Sequence, residues 1–207
     1  MAIMAAAPLA AVAPAASFDR IFSAAGEPAA LRYDVMFMGD GRVHRMTVWR
    51  DGDRRVKRVT DDALVSVATH RPGDAAYDLT LLDMKRRIST RIGRSNLYRV
   101  GNFTDWFDLT HGLRHPKGAY RLTPGTMPAG LPKPVAGCRW YDLAQGPRVD
   151  HICWDPVARI PLLIATKDGR PVWRVTAMSR AAIAPSTFAI DDRGFVRNDA
   201  NHDIDPD

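Results

Sequence analysis

The sequence lacks both a long apolar run and the common catalytic motifs. Its 207 residues contain nothing near the roughly 18 consecutive apolar residues of a transmembrane helix, so we expect a protein that is not transmembrane. There is no G-x-S-x-G nucleophile elbow, no phosphate-binding loop and no H-E-x-x-H zinc motif. The sequence therefore predicts a binding protein and no enzyme.

Metal-ligand patterns are also missing. The chain has no Cys-x-x-Cys pair, and its six histidines are dispersed. His111 and His115 lie four residues apart, but Gly112 and Pro116 interrupt the helix that would bring both rings to one face. We therefore predict no metal site and no cofactor.

Cysteine is scarce, and the two cysteines that are present flank a predicted hairpin. A turn centred on Gln145-Gly146 sets Cys138 directly opposite Cys153. Opposed residues of antiparallel strands have Cα atoms ~4.5–5.5 Å apart, which a disulfide accepts. We predict a Cys138–Cys153 disulfide, which favours export to an oxidising compartment, with two unpaired buried thiols as the alternative.

The N-terminal segment has no basic residue, although it otherwise resembles a signal peptide. Residues 1–16 form an uncharged, Ala-rich run that ends in small residues, and Ala13-Pro14-Ala15 matches an A-x-A cleavage site. The segment is either a truncated signal peptide or a disordered Ala/Pro leader. With the predicted disulfide, it favours a periplasmic location.

Basic residues exceed acidic ones and give the chain a net charge of +6. They are spread along the chain and interleaved with Asp, so we expect no nucleic-acid binding. The densest group is a candidate surface for a protein partner, or simply a solvated strand face. Its members are Lys85, Arg86, Arg87, Arg91 and Arg94.

Most of the chain is organised as short strands joined by Gly-containing turns. Asp40-Gly41 predicts a two-residue hairpin turn that pairs Tyr33 with Val48, and Val35 with Met46, on one apolar face. Asp168-Gly169 predicts a second hairpin, which pairs Ile164 with Trp173, Leu162 with Val175 and Ile160 with Ala177. These patterns indicate an antiparallel sheet.

Two segments depart from the strand pattern. Residues 17–25 and 103–111 have the periodicity of short helices with aromatic faces. The segment 191–207 is acidic and poor in large apolar residues, which predicts a disordered tail. No domain boundary is evident in between, so residues 17–190 are predicted to form one domain.

The C-terminal half resembles a known family. The resemblance rests on three short motifs, Cys138-Arg139-Trp140-Tyr141, Cys153-Trp154-Asp155-Pro156 and Asp168-Gly169. The family that it resembles is the periplasmic lipoprotein-carrier superfamily, which includes outer-membrane lipoprotein-sorting proteins and families of unknown function. The resemblance implies a single curved antiparallel sheet, or half-barrel, with two or more short helices covering its concave face. Independently of the resemblance, an apolar groove for an acyl chain or another hydrophobic ligand remains if the helices do not fill the concave side.

Two functional hypotheses follow. In the first, the protein holds or shuttles a hydrophobic ligand against the apolar face of the sheet and the helices. In the second, the same residues make a filled core, and the basic group docks a partner in the cell envelope. The candidate ligand-binding residues are Tyr33, Val35, Phe37, Met46, Val48, Trp106, Phe107, Ile160, Leu162, Ile164, Trp173 and Val175.

Overall fold

The computed structural model of the protein describes residues 16–71, 73–74, 76–93, 97, 105–131 and 136–199. Apart from Ala16, the predicted signal peptide or leader lies outside the described residues. The last eight residues of the predicted tail, 200–207, also lie outside them.

Within the described residues, twelve strands and two short α-helices follow one another along the chain. The helices are α1 Phe18–Ile21 and α2 Trp106–His111, and a 3₁₀ turn spans Pro185–Phe188. The strands are β1 Ala30–Gly39, β2 Arg42–Asp51, β3 Arg55–Thr60, β4 Leu64–His70, β5 Tyr77–Asp83, β6 Ile88–Ile92, β7 Arg121–Pro124, β8 Arg139–Gln145, β9 Arg148–Asp155, β10 Ile160–Thr166, β11 Pro171–Ser179 and β12 Val196–Asp199.

All twelve strands belong to one curved, unclosed sheet, which confirms a mainly β fold. The strand order is β12-β6-β5-β4-β3-β2-β1-β11-β10-β9-β8-β7. Chain neighbours pair as antiparallel hairpins, whereas β1 joins β11 and β12 runs parallel to β6. The β1–β11 pairing therefore connects the two halves of the chain at the middle of the sheet. No helix in the described part of the chain is long and apolar enough to cross a membrane.

The first hairpin has the register that its turn residues predict. Tyr33 pairs with Val48 and Val35 with Met46. Asp40 and Gly41 both have positive φ, 48° and 75°, as the type I′ turn between two twisted strands requires. Turn chemistry and the apolar pattern thus select the same register.

The second predicted hairpin is confirmed in part, because the β10–β11 pairing extends only over Leu163–Ala165 and leaves the predicted pairs of Leu162 with Val175 and of Ile160 with Ala177 outside it. Ile164 lies opposite Trp173, as predicted. A bulge follows at Ala165, so the regular register does not extend to the turn.

The disulfide is present, but the register of its hairpin was predicted wrongly. Cys138 and Cys153 are bonded with their Cα atoms 5.3 Å apart. Gln145 pairs with Arg148, so Gly146 and Pro147 form the turn and Cys153 lies opposite Trp140. Gly146 has a φ of 53°, which suits the first central position of a type II′ turn. The Gly146-Pro147 turn therefore gives a register that differs by two residues from the predicted one.

The larger part of the core lies on one face of the sheet, which we call the core face. It holds two adjoining groups of buried side chains. The first includes Leu31, Tyr33, Val35, Val48, Val56, Ala68, Tyr77, Leu109 and Ile160. The second includes Phe18, Phe22, Leu113, Leu122, Leu143, Ile152 and Trp154.

A smaller group lies apart from these two and is built around Cys153, Leu163 and Ala165. Leu131 packs against this group. A further contact joins the same regions, because Gly169 lies so close to the carbonyl of Ala129 that a Cβ there would come within 2.6 Å of it. The loop between β7 and β8 therefore packs on this part of the sheet.

The two helices are shorter than the sequence pattern predicts. α1 ends at Ile21, well before Gly26. α2 begins after Asp105, whose carboxylate accepts hydrogen bonds from the amides of Phe107 and Asp108. The predicted caps, Asn102 and Thr104, lie outside the described residues. Gly112 ends α2 with a φ of 69°, as predicted.

The segment that follows residue 190 differs from the disordered tail that its composition predicts. Val196–Asp199 pairs with β6, and the Val196 amide donates to the carbonyl of Arg87. Asp192, which is buried, accepts a hydrogen bond from the Ser89 hydroxyl. Backbone pairing and one buried carboxylate thus fix a segment with few large apolar side chains.

Candidate functional site

A cavity of about 770 Å³ opens at one end of the core face. It lies where the β1–β2, β8–β9 and β10–β11 turns come together, and the end of α2 forms its other wall. Ligand pockets in proteins typically have volumes of ~300–1,000 Å³. The large apolar side chains that line it include Tyr33, Phe37, Met46, Leu109, Leu113, Leu143, Ile152, Ile164 and Trp173.

The predicted ligand-binding residues divide between this cavity and the core beside it. Five line the cavity, namely Tyr33, Phe37, Met46, Ile164 and Trp173. Three are buried in the adjoining core, namely Val35, Val48 and Ile160. Leu162 and Val175 are half-buried against that core. The predicted set thus extends over much of the core face, whereas the cavity occupies only one end of it.

The two aromatic residues predicted from α2 lie away from the cavity. The Trp106 ring stacks on His70 at 4.6 Å and also contacts Tyr77. The Phe107 ring packs against Phe18 and stacks on His111. Both rings anchor α2 to the rest of the core.

The predicted partner surface is partly engaged by the chain itself. Lys85 and Arg86 are exposed in the β5–β6 turn. Arg87 donates hydrogen bonds to the carbonyls of Arg193 and Gly194, and its guanidinium lies over the Phe195 ring. Arg91 forms an ion pair with Asp192. Arg94 lies outside the described residues.

Four basic side chains line the cavity along with the apolar ones. Arg148 and Lys167 lie near its rim, in or next to the hairpin turns. Arg58, from the middle of β3, and Arg114, just beyond α2, form part of the wall. Neither Arg58 nor Arg114 was singled out by the sequence patterns.

A second charged group is buried in the core close to the cavity. Arg50 is fully buried on β2, and its Nη2 donates to the Ala158 carbonyl at 2.8 Å. The same nitrogen lies 3.3 Å from Glu27 Oε2. That oxygen is also 2.9 Å from Nε2 of the buried His111.

The electrostatics of this group follow from its burial. Burial lowers the pKa of Arg50, although the Glu27 charge opposes the shift. Burial also lowers the pKa of His111 against the effect of the Glu27 hydrogen bond. For Glu27, burial would raise the pKa, but the His111 hydrogen bond and the Arg50 charge hold it below its usual range. The carboxylate is therefore kept charged, and it ties α2 to the sheet.

Asp105, Asp108 and His115 form a small cluster with the spacing of metal ligands. Asp108 accepts hydrogen bonds from the backbone amide and the ring of His115, at 3.0 and 2.6 Å. The other ring nitrogen of His115 lies 3.0 Å from Asp19, and Asp105 caps α2. These contacts give the cluster a structural role, because they join α1 to α2.

Comparison with known proteins identifies no family for this chain. No protein-family model matches it, and the search of curated proteins gave no match. The functional argument therefore depends on the geometry of the cavity.

Proposed function

We propose that this protein is a periplasmic binding protein that holds or shuttles a hydrophobic ligand, such as a lipid or a lipidated group. The observation that carries the proposal is the cavity at the end of the core face, with aromatic and aliphatic side chains on several of its walls. Burial of an apolar chain stabilises a complex by roughly 25 cal/mol per Å² of apolar surface removed from water. Binding of this kind needs neither a cofactor nor a catalytic group.

The fold supports this function in two ways. A curved sheet that does not close leaves room between its core face and the helices, as in the half-barrel that the lipoprotein-carrier resemblance implies. The helices would cover the concave side, since Phe22 of the α1 segment contacts Trp154, and Leu109 of α2 belongs to the same core as Tyr33. A ligand chain would enter between the hairpin turns.

The disulfide supports the periplasmic location. Disulfides persist in oxidising compartments and are rare where glutathione and thioredoxin keep thiols reduced. Cys138 and Cys153 are bonded, and the described residues contain no free cysteine.

The other function, docking of an envelope partner through basic residues, has weaker support. Lys85 and Arg86 are available at the tip of the β5–β6 turn, but Arg87 and Arg91 are already bonded to the segment that contains Asp192 and Arg193. Salt-sensitive binding of one partner that Arg86→Glu weakens would favour docking.

A neutral fluorescent probe, N-phenyl-1-naphthylamine, tests the cavity. The wild-type protein is expected to bind it, and Ile164→Arg is expected to weaken binding about tenfold or more by placing a charge on the apolar wall. Leu143→Trp enlarges an apolar side chain that lines the same cavity, adds no charge and should have the same effect. The matched control is Val157→Arg, because Val157 is exposed in the β9–β10 turn.

Each outcome of the probe experiment either supports or rejects the cavity as a hydrophobic binding site. Loss of probe binding in both cavity variants, with the control unchanged, would support a hydrophobic binding site. Equal binding by all four proteins, or no binding by the wild type, would reject the cavity as that site. Thermal unfolding of each variant separates loss of the site from loss of the fold.

A further inference from the structure

Arg58 occupies an unusual position for a charged side chain. It lies on the core face of β3, directly opposite Val48, and two residues after the buried Val56. A charged group placed among apolar side chains is costly unless a partner of opposite charge compensates it. Burial accordingly lowers the pKa of Arg58.

The structure gives Arg58 no such partner. Its Nε donates to the Met46 sulfur at 3.2 Å, and a thioether is a weak acceptor. In the described part of the chain, no carboxylate lies within ion-pair distance of its guanidinium. Besides burial, the like charge of Arg114 lowers the pKa of Arg58, whereas the hydroxyl groups of Tyr33 and Tyr77 oppose the shift.

Arg114 is unpartnered as well. It follows Leu113 beyond the end of α2 and lines the same cavity. Among the described residues, no acceptor forms a hydrogen bond or an ion pair with its side chain. Two guanidinium groups therefore line the same cavity, Arg58 from the sheet and Arg114 from beyond the end of α2, and their mutual repulsion is relieved when an anion lies between them.

The acidic residues of the cavity do not neutralise this pair, because each is engaged elsewhere. Asp108 accepts from His115, and Asp150 forms an ion pair with Arg148 at 2.8 Å. Asp168 accepts a hydrogen bond from Thr166. Among the described residues that line the cavity, the positive charges without an ion-pair partner are thus those of Arg58 and Arg114, with that of Lys167 nearer the rim.

We propose, on the basis of the hydrophobic binding function above, that the ligand is an amphiphile with an anionic oxygen head group, a carboxylate or a phosphate, held by Arg58 and Arg114. Its apolar tail lies along the wall formed by Tyr33, Phe37, Ile164 and Trp173. Guanidinium groups suit this role because they donate two parallel N–H bonds to a carboxylate or a phosphate.

Titration calorimetry with four twelve-carbon amphiphiles, each below its micelle concentration, tests the inference. They are dodecanoate, dodecyl phosphate, neutral dodecanol and cationic dodecyltrimethylammonium. The wild-type protein is expected to bind the two anions about tenfold or more tightly than dodecanol, and the cation more weakly still. The stronger of the two anions identifies the head group.

Variants assign the preference to the two arginines. Arg58→Met keeps the apolar bulk of the side chain and should lose the preference for anions over dodecanol. Arg114→Gln should reduce that preference, and Arg58→Lys should retain part of it because the charge remains. The matched control is Arg45→Met, which removes the same charge from an exposed position on the opposite face of β2.

The results that would overturn the inference are distinct from failure of the proposed function. Equal affinity of the wild type for dodecanol and both anions would overturn it. A preference for anions that survives in both Arg58→Met and Arg114→Gln would do the same. Binding of no amphiphile of any charge would instead reject the hydrophobic binding function itself.

Discussion

Arg50 and Arg58 lie on neighbouring strands of the same sheet face, yet the protein treats them in opposite ways. Arg50 is fully buried, and its Nη2 contacts the Glu27 carboxylate and the Ala158 carbonyl, whereas its Nε and Nη1 have no hydrogen-bond partner among the described residues. Arg58 is half-buried beside a cavity and has only the Met46 sulfur. Where the core is filled, the chain supplies the counter-charge, and where the core is open, it does not.

This difference distinguishes an arginine that stabilises the fold, Arg50, from one that is available to a ligand, Arg58. A buried arginine with its own carboxylate fixes the position of α2 through Glu27 and His111. An arginine on a cavity wall without a carboxylate is available to a ligand. The two therefore respond differently to substitution.

The largest expected effect comes from breaking the buried group. Glu27→Gln leaves Arg50 as an uncompensated buried charge, and removal of one partner from such a pair typically costs about 3–5 kcal/mol. Urea unfolding should show a loss of this size in the free energy of unfolding. The double variant Glu27→Gln/Arg50→Met should recover much of it, since no orphan charge remains.

Asp53→Asn is a suitable control for this measurement, because Asp53 is exposed in the β2–β3 turn. A Glu27→Gln protein as stable as the control would contradict the structural role of the buried group.

Removal of the disulfide tests whether the contrast between Arg50 and Arg58 depends on the β8–β9 hairpin, whose turn lies at the cavity. Cys138 and Cys153 are separated by 15 residues, and a loop of this size contributes about 3 kcal/mol in the chain-entropy model. The double variant Cys138→Ala/Cys153→Ala should lose about this much free energy of unfolding. Its preference for anionic amphiphiles should persist, because Cys153 packs with Leu163 and Ala165, outside both core-face groups. Loss of that preference would show that the disulfide shapes the binding wall.

A smaller effect is expected at the other arginine. Arg58→Met should change the free energy of unfolding of the ligand-free protein by no more than about 1 kcal/mol, because it removes an unpaired, partly buried charge and keeps the apolar stem. Thermal and urea unfolding of Arg58→Met and Arg50→Met, measured in parallel, compare the two losses of stability directly. A loss at Arg58 as large as that at Arg50 would mean that Arg58 has a structural partner.

The smallest expected effects are those of pH on stability. The contributions of His111 and His115 to the free energy of unfolding should change with pH in opposite directions. The pKa of His111 is lowered in the folded state, mainly by burial, so its contribution to stability is present above the unfolded-state pKa of about 6.5 and is lost as pH falls below it. The pKa of His115 is raised by Asp108, Asp105 and Asp19 against the effect of burial. Its contribution is therefore present below about 6.5 and is lost as pH rises through the folded-state pKa.

Urea unfolding at several pH values between about 5 and 8 checks these signs. His111→Gln should reduce the loss of stability on acidification, whereas the advantage of wild type over His115→Gln should shrink as the pH rises. The same sign for both variants would contradict the contacts assigned to these rings.

The sequence predicts the hairpins where turn chemistry is local. Asp40-Gly41 gives the β1–β2 register because both residues favour the positive φ that they adopt. The register predicted for the disulfide hairpin differs by two residues because the prediction centres the turn on Gln145-Gly146, whereas Gly146-Pro147 forms it. Its true register places His151 opposite Asp142, to which its ring is hydrogen-bonded at 2.7 Å.

The site was less predictable, since it depends on contacts between distant segments. Glu27, Arg50 and His111 come from three separate parts of the chain, and no local pattern joins them. The position of Arg58 on an apolar face follows only from the β2–β3 register, which places it opposite Val48. A basic residue at a core-facing strand position is the signal that would have singled it out.

The central claim is that the cavity holds an apolar chain. Native mass spectrometry of the full-length protein, purified without detergent and followed by lipid extraction, tests it most directly. We expect a bound acyl species at near-stoichiometric level, with an acidic head group, in a protein whose mass shows the two-hydrogen deficit of the disulfide. A ligand-free mass that also fails to gain any amphiphile on titration would contradict the claim.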